Sequence, residues 1–218
     1  MDDHDRWIRN LVYRRFIELG RAPTLAELTD DLGGDAESAL QRLHEGHALV
    51  LEPDRAEIRM ANPFSAVPTP HRVEAGGRSW YGNCAWDAFG IPAALHVDGH
   101  VTSTCPDCGE PIEIEIRGER PIPDEHVFHV AVPAAQWWDD IVFTLSTMNL
   151  FRSEEHVGRW LEQNRYEAGA TISAGKLCEL AHAWWSDRLA PDWTSHTREQ
   201  NQATLDRLGL TGSFWQLP

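Results

Sequence analysis

Three prolines within eight residues, Pro63, Pro68 and Pro70, interrupt the chain about a third of the way along. Proline fixes φ and has no N–H to donate, and it drives the residue before it out of the helical region. Residues 62–70 are therefore predicted to run extended, and no helix can cross them. The hydrophobic patterns on the two sides differ. The predicted division is a first unit over residues 1–61, a Pro-rich connector over 62–78, a core unit over 79–190 and a tail over 191–218.

On the N-terminal side, Trp7, Ile8, Leu11, Val12, Phe16 and Leu19 recur at helical spacing, and Gly20 follows as a stop. Thr24 and Glu27 form a capping-box pattern that opens a second helix ending at Gly33 and Gly34. Asp35 is placed to cap a third helix with Ala36, Ala39, Leu40 and Leu43 on one face. Two short apolar runs flank the turn Glu52-Pro53-Asp54, as in a two-stranded wing. Three helices and a hairpin make a winged-helix-like arrangement.

A winged helix suggests DNA, but the charge argues for packing instead. Residues 1–60 hold 8 Arg against 13 Asp plus Glu. The third helix carries Asp35, Glu37 and Glu45 against Arg42, and phosphates would repel it. The whole chain has a net charge of −15, so a nucleic-acid partner is not expected. The acidic opening residues have no apolar stretch behind them, unlike a secretory signal, and no run is long enough to span a bilayer. The expected compartment is the cytoplasm, where thiols stay reduced.

Beyond the prolines the pattern mixes strand and helix. Residues 79–95 hold an apolar, helix-like run containing Cys84 and Asp87. Residues 97–103 read as a strand. Ile112, Ile114 and Ile116 alternate with Glu113 and Glu115, as in a half-buried antiparallel strand. Residues 126–132 read as another strand, and 141–151 as strand or helix. A helix begins at Ser153, a strand is expected over 167–172, and an amphipathic helix over 173–189. The tail holds a helical segment over 194–208, and Phe214-Trp215 near its end is suited to fold back on an apolar groove. The fold class is α+β, with a small antiparallel sheet flanked by helices.

Four cysteines are too few for a disulfide scaffold in a chain of 218 residues, but enough for thiolate chemistry. Cys84 and Asp87 lie three apart, so on a helix they share a face. A thiolate binds a soft metal or attacks an electrophile, and a carboxyl beside it passes a proton. Trp80, Tyr81, Trp86 and Phe89 flank the pair and would desolvate the acid. The competing reading is a core cysteine beside a surface aspartate. Cys105-Pro106-Asp107-Cys108-Gly109 is a turn whose two thiolates can clasp a tetrahedral ion, with Cys84, His96, His100, His126 or His129 to complete it. A reduced turn without metal is the alternative. Cys178 sits among apolar helix positions and reads as packing, and His156 and His182 read as ordinary helix histidines.

Taken in order, these pieces resemble the alkylmercury lyases. Trp80-Tyr81-Gly82-Asn83-Cys84-Ala85-Trp86-Asp87, with Ile91-Pro92-Ala93 after it, resembles that family's Cys-Ala-x-Asp motif. Val101-Thr102-Ser103-Thr104-Cys105 resembles a family strand ending in a cysteine of structural role. Leu150-Phe151-Arg152-Ser153, with Trp160 in the following helix, resembles its Phe-Phe-Ala-Ser segment. The resemblance implies protonolytic cleavage of a carbon–metal bond, or related chemistry on a small electrophile. Cys84 would be the thiolate and Asp87 the proton donor. It also implies a small organometallic or electrophilic substrate. No cofactor is required, although Cys84, Cys105 and Cys108 can hold a soft metal, Hg or Zn.

One departure stands out. The family's second catalytic cysteine precedes the Phe-Phe-Ala-Ser segment, and here residues 143–149 contain no cysteine. The chain therefore resembles a divergent member with an altered site. A non-catalytic metal binder or sensor, and a winged-helix regulator, stay open as alternatives. Oligomeric state is not readable from the sequence.

Overall fold

The computed structural model describes residues 1–218 apart from Gly33 and Glu167. Helix α1 (Asp3–Leu19) starts where the Asp2 side chain accepts the Asp5 N–H, and it ends at Gly20 with φ 70°. It buries Ile8, Leu11, Val12 and Phe16. Trp7 fits the same periodicity yet stays 50% exposed. Helix α2 (Leu25–Leu32) opens with the expected reciprocal cap: Thr24 Oγ1 accepts the Glu27 N–H, and the Glu27 carboxylate accepts the Thr24 N–H. Its expected stop includes Gly33, which lies outside the described residues. Helix α3 (Ala36–Glu45) begins after Asp35, but that side chain makes no capping bond. The Asp35 backbone is not in the extended conformation a cap requires, and its carboxylate meets Arg42 at 3.5 Å instead.

Strands β1 (Val50–Leu51) and β2 (Ile58–Ala61) pair antiparallel. The sheet continues through β3 (Phe64–Ser65), β4 (Arg72–Ala75) and β5 (Arg78–Gly82). Residues 62–78 thus contain strands as well as prolines. Pro63, Pro68 and Pro70 fall between the strands, where a missing N–H breaks no ladder. After helix α4 (Ala85–Leu95) come β6 (Gly99–Thr104), β7 (Pro111–Arg117) and β8 (Arg120–Ile122). The result is one eight-stranded sheet in the order β1-β2-β3-β5-β4-β6-β7-β8. It is larger than the small sheet expected, and it carries the first unit's hairpin on the same ladder as the core strands.

A second, three-stranded antiparallel sheet follows. Strand β9 (Val127–Val130) lies at its centre, between β10 (Asn149–Phe151) and β11 (Ala170–Ser173). The run left as strand or helix divides into helix α5 (Ile141–Ser146) and β10. Helix α6 (Glu154–Asn164) follows β10, and α7 (Ala174–Trp185) follows β11. In the tail, α8 (Arg198–Arg207) is opened by a Thr197–Gln200 capping box. Trp215 folds back and sets its ring edge-on to Trp137, with centroids 6.4 Å apart.

Helix α4 is the pivot of this arrangement. It packs on α7, on β4 and β5 of the large sheet and on β10 of the small one. A helix enclosed on every side must be apolar all round. That explains the unbroken run Ala88-Phe89-Gly90-Ile91, all buried. Gly90 is needed there, because a Cβ would lie 2.3 Å from the Trp185 ring of α7.

Candidate functional site

The site forms where β5 turns into α4. Gly82 ends the strand, and a Cβ on it would stand 2.5 Å from the Ala88 nitrogen. Glycine therefore lets the strand end lie directly against the first helical turn. Cys84 has extended backbone and is the N-cap of α4, and its Sγ accepts the Asp87 N–H at 3.4 Å. The pair meets as cap and third helical residue, which differs from the expected juxtaposition of two residues on one helix face. Both are enclosed, Cys84 at 0% exposure and Asp87 at 1%.

Asp87 is not the surface residue of the competing reading. Its Oδ2 accepts from Asn83 Nδ2 at 2.9 Å. Its Oδ1 has no partner among the described residues. Burial raises the Asp87 carboxyl to about 7, against the lowering effects of the Asn83 hydrogen bond and the Arg188 charge. Burial, and then the Asp87 charge, push the Cys84 thiol well above its ordinary value. Near neutral pH the pair therefore rests as a thiol beside an acid poised between its two forms.

The supporting shell was not visible in the spacing. Asn83 Nδ2 also reaches Asn62 Oδ1, at 3.2 Å. The Asn62 carbonyl accepts from the Tyr13 hydroxyl at 2.8 Å and from Arg188 Nε at 3.1 Å. Arg9, 1% exposed, donates to the Arg188 carbonyl at 2.6 Å, and its guanidinium lies over the Tyr13 and Trp193 rings. The site thus rests on α1 and on the segment that follows α7. Trp86 and Phe89 are buried as expected, whereas Trp80 ties β5 to α1 by donating to the Phe16 carbonyl.

An aromatic cleft of about 310 Å³ opens beside this shell, lined by Asn62, Arg188, Trp138, Trp184 and Trp185 among others. Trp86, next to Asp87 in the chain, meets Trp184 edge-on at 5.1 Å and Trp185 at 5.9 Å. On another side the Ala85 N–H donates to the Met148 carbonyl at 3.0 Å, so the turn between α5 and β10 abuts the start of α4.

Cys105 and Cys108 are brought together, and their third neighbour is His156 of α6. Cys84, His96, His100, His126 and His129 are not in that group. His129 is buried, with Phe151 and Trp160 edge-on to its ring, and burial lowers it to about 4. Nothing in the local spacing tied His156 to the turn, since the two are far apart in sequence. Cys178 is buried in α7 and donates to the Glu119 carbonyl at 3.2 Å, in keeping with packing.

The family model for alkylmercury lyase, MerB, matches residues 64–205. The chain belongs to the alkylmercury lyase family. An alkylmercury lyase of Bacillus cereus is 20% identical over 86% of this chain and 82% of its own length. One from Staphylococcus epidermidis is 28% identical, and that match spans 46% of this chain and about half (48%) of the relative. The solved mercury-bound form of MerB2 superposes with a TM-score of 0.64 at 25% identity, covering 84% of this chain and 91% of that one. Membership focuses attention on the turn against Ala85, which is where the family resemblance expects a second cysteine. The end of α5 and the turn after it present Leu145 and Thr147, 5% and 1% exposed, and no thiol. Among the described residues no helix is long and apolar enough to cross a membrane.

Proposed function

We propose that the protein cleaves the carbon–mercury bond of a small organomercurial by protonolysis, with Cys84 taking the metal and Asp87 delivering the proton. The observation that carries this reading is the buried Cys84–Asp87 pair, with one Asp87 oxygen left unpartnered. A soft thiolate is the preferred ligand of soft Hg(II), and coordination strips a thiol of its proton. Asp87, raised to about 7, is suited both to accept that proton and to give it up. The proton then goes to the carbon, which leaves with the electron pair of the carbon–mercury bond. The balance is R–Hg–X plus Cys84–SH giving R–H plus Cys84–S–Hg–X. A free thiol then exchanges onto the mercury and restores Cys84–SH.

Asn83 holds the carboxyl in place through Oδ2 and leaves Oδ1 to face the reacting centre. Trp86, next to Asp87 in the chain, and the Trp184 and Trp185 rings against it supply aromatic surface for the organic group. With no cysteine in the turn after α5, the second sulfur on mercury comes from the thiol that accompanies the substrate.

The stoichiometry provides the test. Without added thiol, one equivalent of hydrocarbon per chain should be released, and mass spectrometry should find one mercury on the peptide containing Cys84. Release without mercury on Cys84, or mercury on Cys84 without release, would contradict the scheme.

A further inference from the structure

The turn after β6 and the first turns of α6 form a second centre outside the Cys84–Asp87 site. Cys105 closes β6 and is fully buried, and Cys108 is exposed. The turn between them is tied by the Gly109 N–H to the Cys105 carbonyl at 2.9 Å, with Gly109 at φ 75°. One ligand atom from each of Cys105, Cys108 and His156 lies within 4.8 Å of the others. Two thiolates two residues apart in the intervening chain, with an imidazole, are a borderline-soft tetrahedral donor set.

A further feature separates this cluster from a chance gathering. Asp107, inside the same turn, has a side chain only 3% exposed. Its Oδ2 lies 2.6 Å from His156 Nδ1 and accepts from Arg159 Nε and Nη2 at 3.0 and 2.7 Å, and Arg159 Nη2 also lies 2.8 Å from that His156 nitrogen. A carboxylate held on Nδ1 leaves Nε2 as the ring nitrogen available to a metal, the arrangement of outer-sphere carboxylates at zinc–histidine sites. The charges also close: a divalent ion, two thiolates, Asp107 and Arg159 sum to zero. A buried carboxylate, an oriented imidazole and two adjacent sulfurs have no use in the Cys84 chemistry.

We propose that Cys105, Cys108 and His156 bind a zinc ion, that Asp107 orients His156 from outside the coordination sphere, and that the fourth position takes an exogenous ligand. The ion pins the β6–β7 turn to α6. Because α6 follows β10 directly, it also steadies the segment that abuts the start of α4. This zinc centre stands independently of the organomercurial reading, because Cys84 and Asp87 take no part in it.

The test is titration of the fully reduced, metal-free chain with Co(II), followed by competition with Zn(II). One equivalent should give the intense visible bands of a tetrahedral ion and a thiolate-to-cobalt charge-transfer band, and Zn(II) should abolish both. Cys108→Ser and His156→Ala should each lose the tetrahedral spectrum while keeping the wild-type circular dichroism. Asp107→Asn should keep the spectrum but weaken binding about 10–100-fold. Cys84→Ser and Cys178→Ser should bind as wild type does. Absence of tetrahedral Co(II) binding by the reduced wild-type chain would overturn the proposal, as would a spectrum that survives Cys108→Ser and His156→Ala but is lost in Cys84→Ser.

Discussion

The Asp87 backbone N–H points at Cys84 Sγ, 3.4 Å away, so one sulfur caps α4 and also faces the carboxyl three residues later. The cap fixes where the thiol sits, and burial sets both protonation states. In the proposed mechanism, a thiol held high and an acid raised to about 7 would act as a relay, metal binding at sulfur freeing the proton that carbon needs.

Asp87→Asn should separate binding from cleavage. The amide keeps the side chain's shape but carries no transferable proton. Hydrocarbon release should fall about 10²–10⁴-fold, the usual worth of a positioned acid. Mercurial adducts on Cys84 should still form, as read by intact mass. Equal loss of adduct and release would instead give Asp87 a structural role.

The same carboxyl should leave a mark on stability. Folded Asp87 holds its proton up to about 7, whereas in the unfolded chain it ionises near 3.8. Between these values the native state binds more protons, so this group makes stability fall as pH rises, by a few kcal/mol in all. His71 and His129 act oppositely: burial lowers each to about 4, so their contribution rises between about pH 4 and 6.5 and is lost in acid. Thermal unfolding should therefore show Asp87→Asn gaining on wild type from about pH 4 to pH 7 and levelling off above that. A difference independent of pH would contradict the raised carboxyl.

Gly82 and Gly90 should respond differently to a methyl group. In Gly90→Ala the Cβ meets the Trp185 ring, and overpacking should cost about 1–3 kcal/mol in a denaturant titration. In Gly82→Ala it meets the backbone of α4 at Ala88, next to Asp87. That substitution should lower hydrocarbon release far more than Gly90→Ala does at matched stability. Equal activities in the two variants would show that the strand–helix junction does not position Cys84.

A thiol restored at the end of α5 or in the turn after it should change the dependence on free thiol. Leu145 and Thr147 are both buried, and the Met148 carbonyl binds the start of α4. Of Leu145→Cys and Thr147→Cys, at least one should hold mercury between two protein sulfurs and flatten the thiol dependence of turnover. If both keep the wild-type dependence, the turn does not face the metal.

Much of this was legible in the residues. The helical spacing from Ile8 to Phe16 and the Thr24–Glu27 box led directly to α1 and α2, because local periodicity and local hydrogen bonds decide them. The Cys84–Asp87 pair and the turn from Cys105 to Cys108 were visible because their partners lie three residues apart. What stayed hidden depends on distant chain. Strand β3 has two residues, too few to show alternation. Asp35 had the right residue type for a cap, but its backbone and Arg42 took it elsewhere. Asn62, Arg188 and His156 reach their centres only through tertiary packing, so no spacing could reveal them.

The proposed chemistry has Cys84 and Asp87 together breaking a carbon–mercury bond. It is tested most directly by incubating the protein with an aryl- or alkylmercurial and excess thiol, and measuring released hydrocarbon for wild type, Cys84→Ser and Asp87→Ala. Wild type should release hydrocarbon steadily, and release by both variants should be lower by about 100-fold or more. No release by wild type, or undiminished release by either variant, would contradict it.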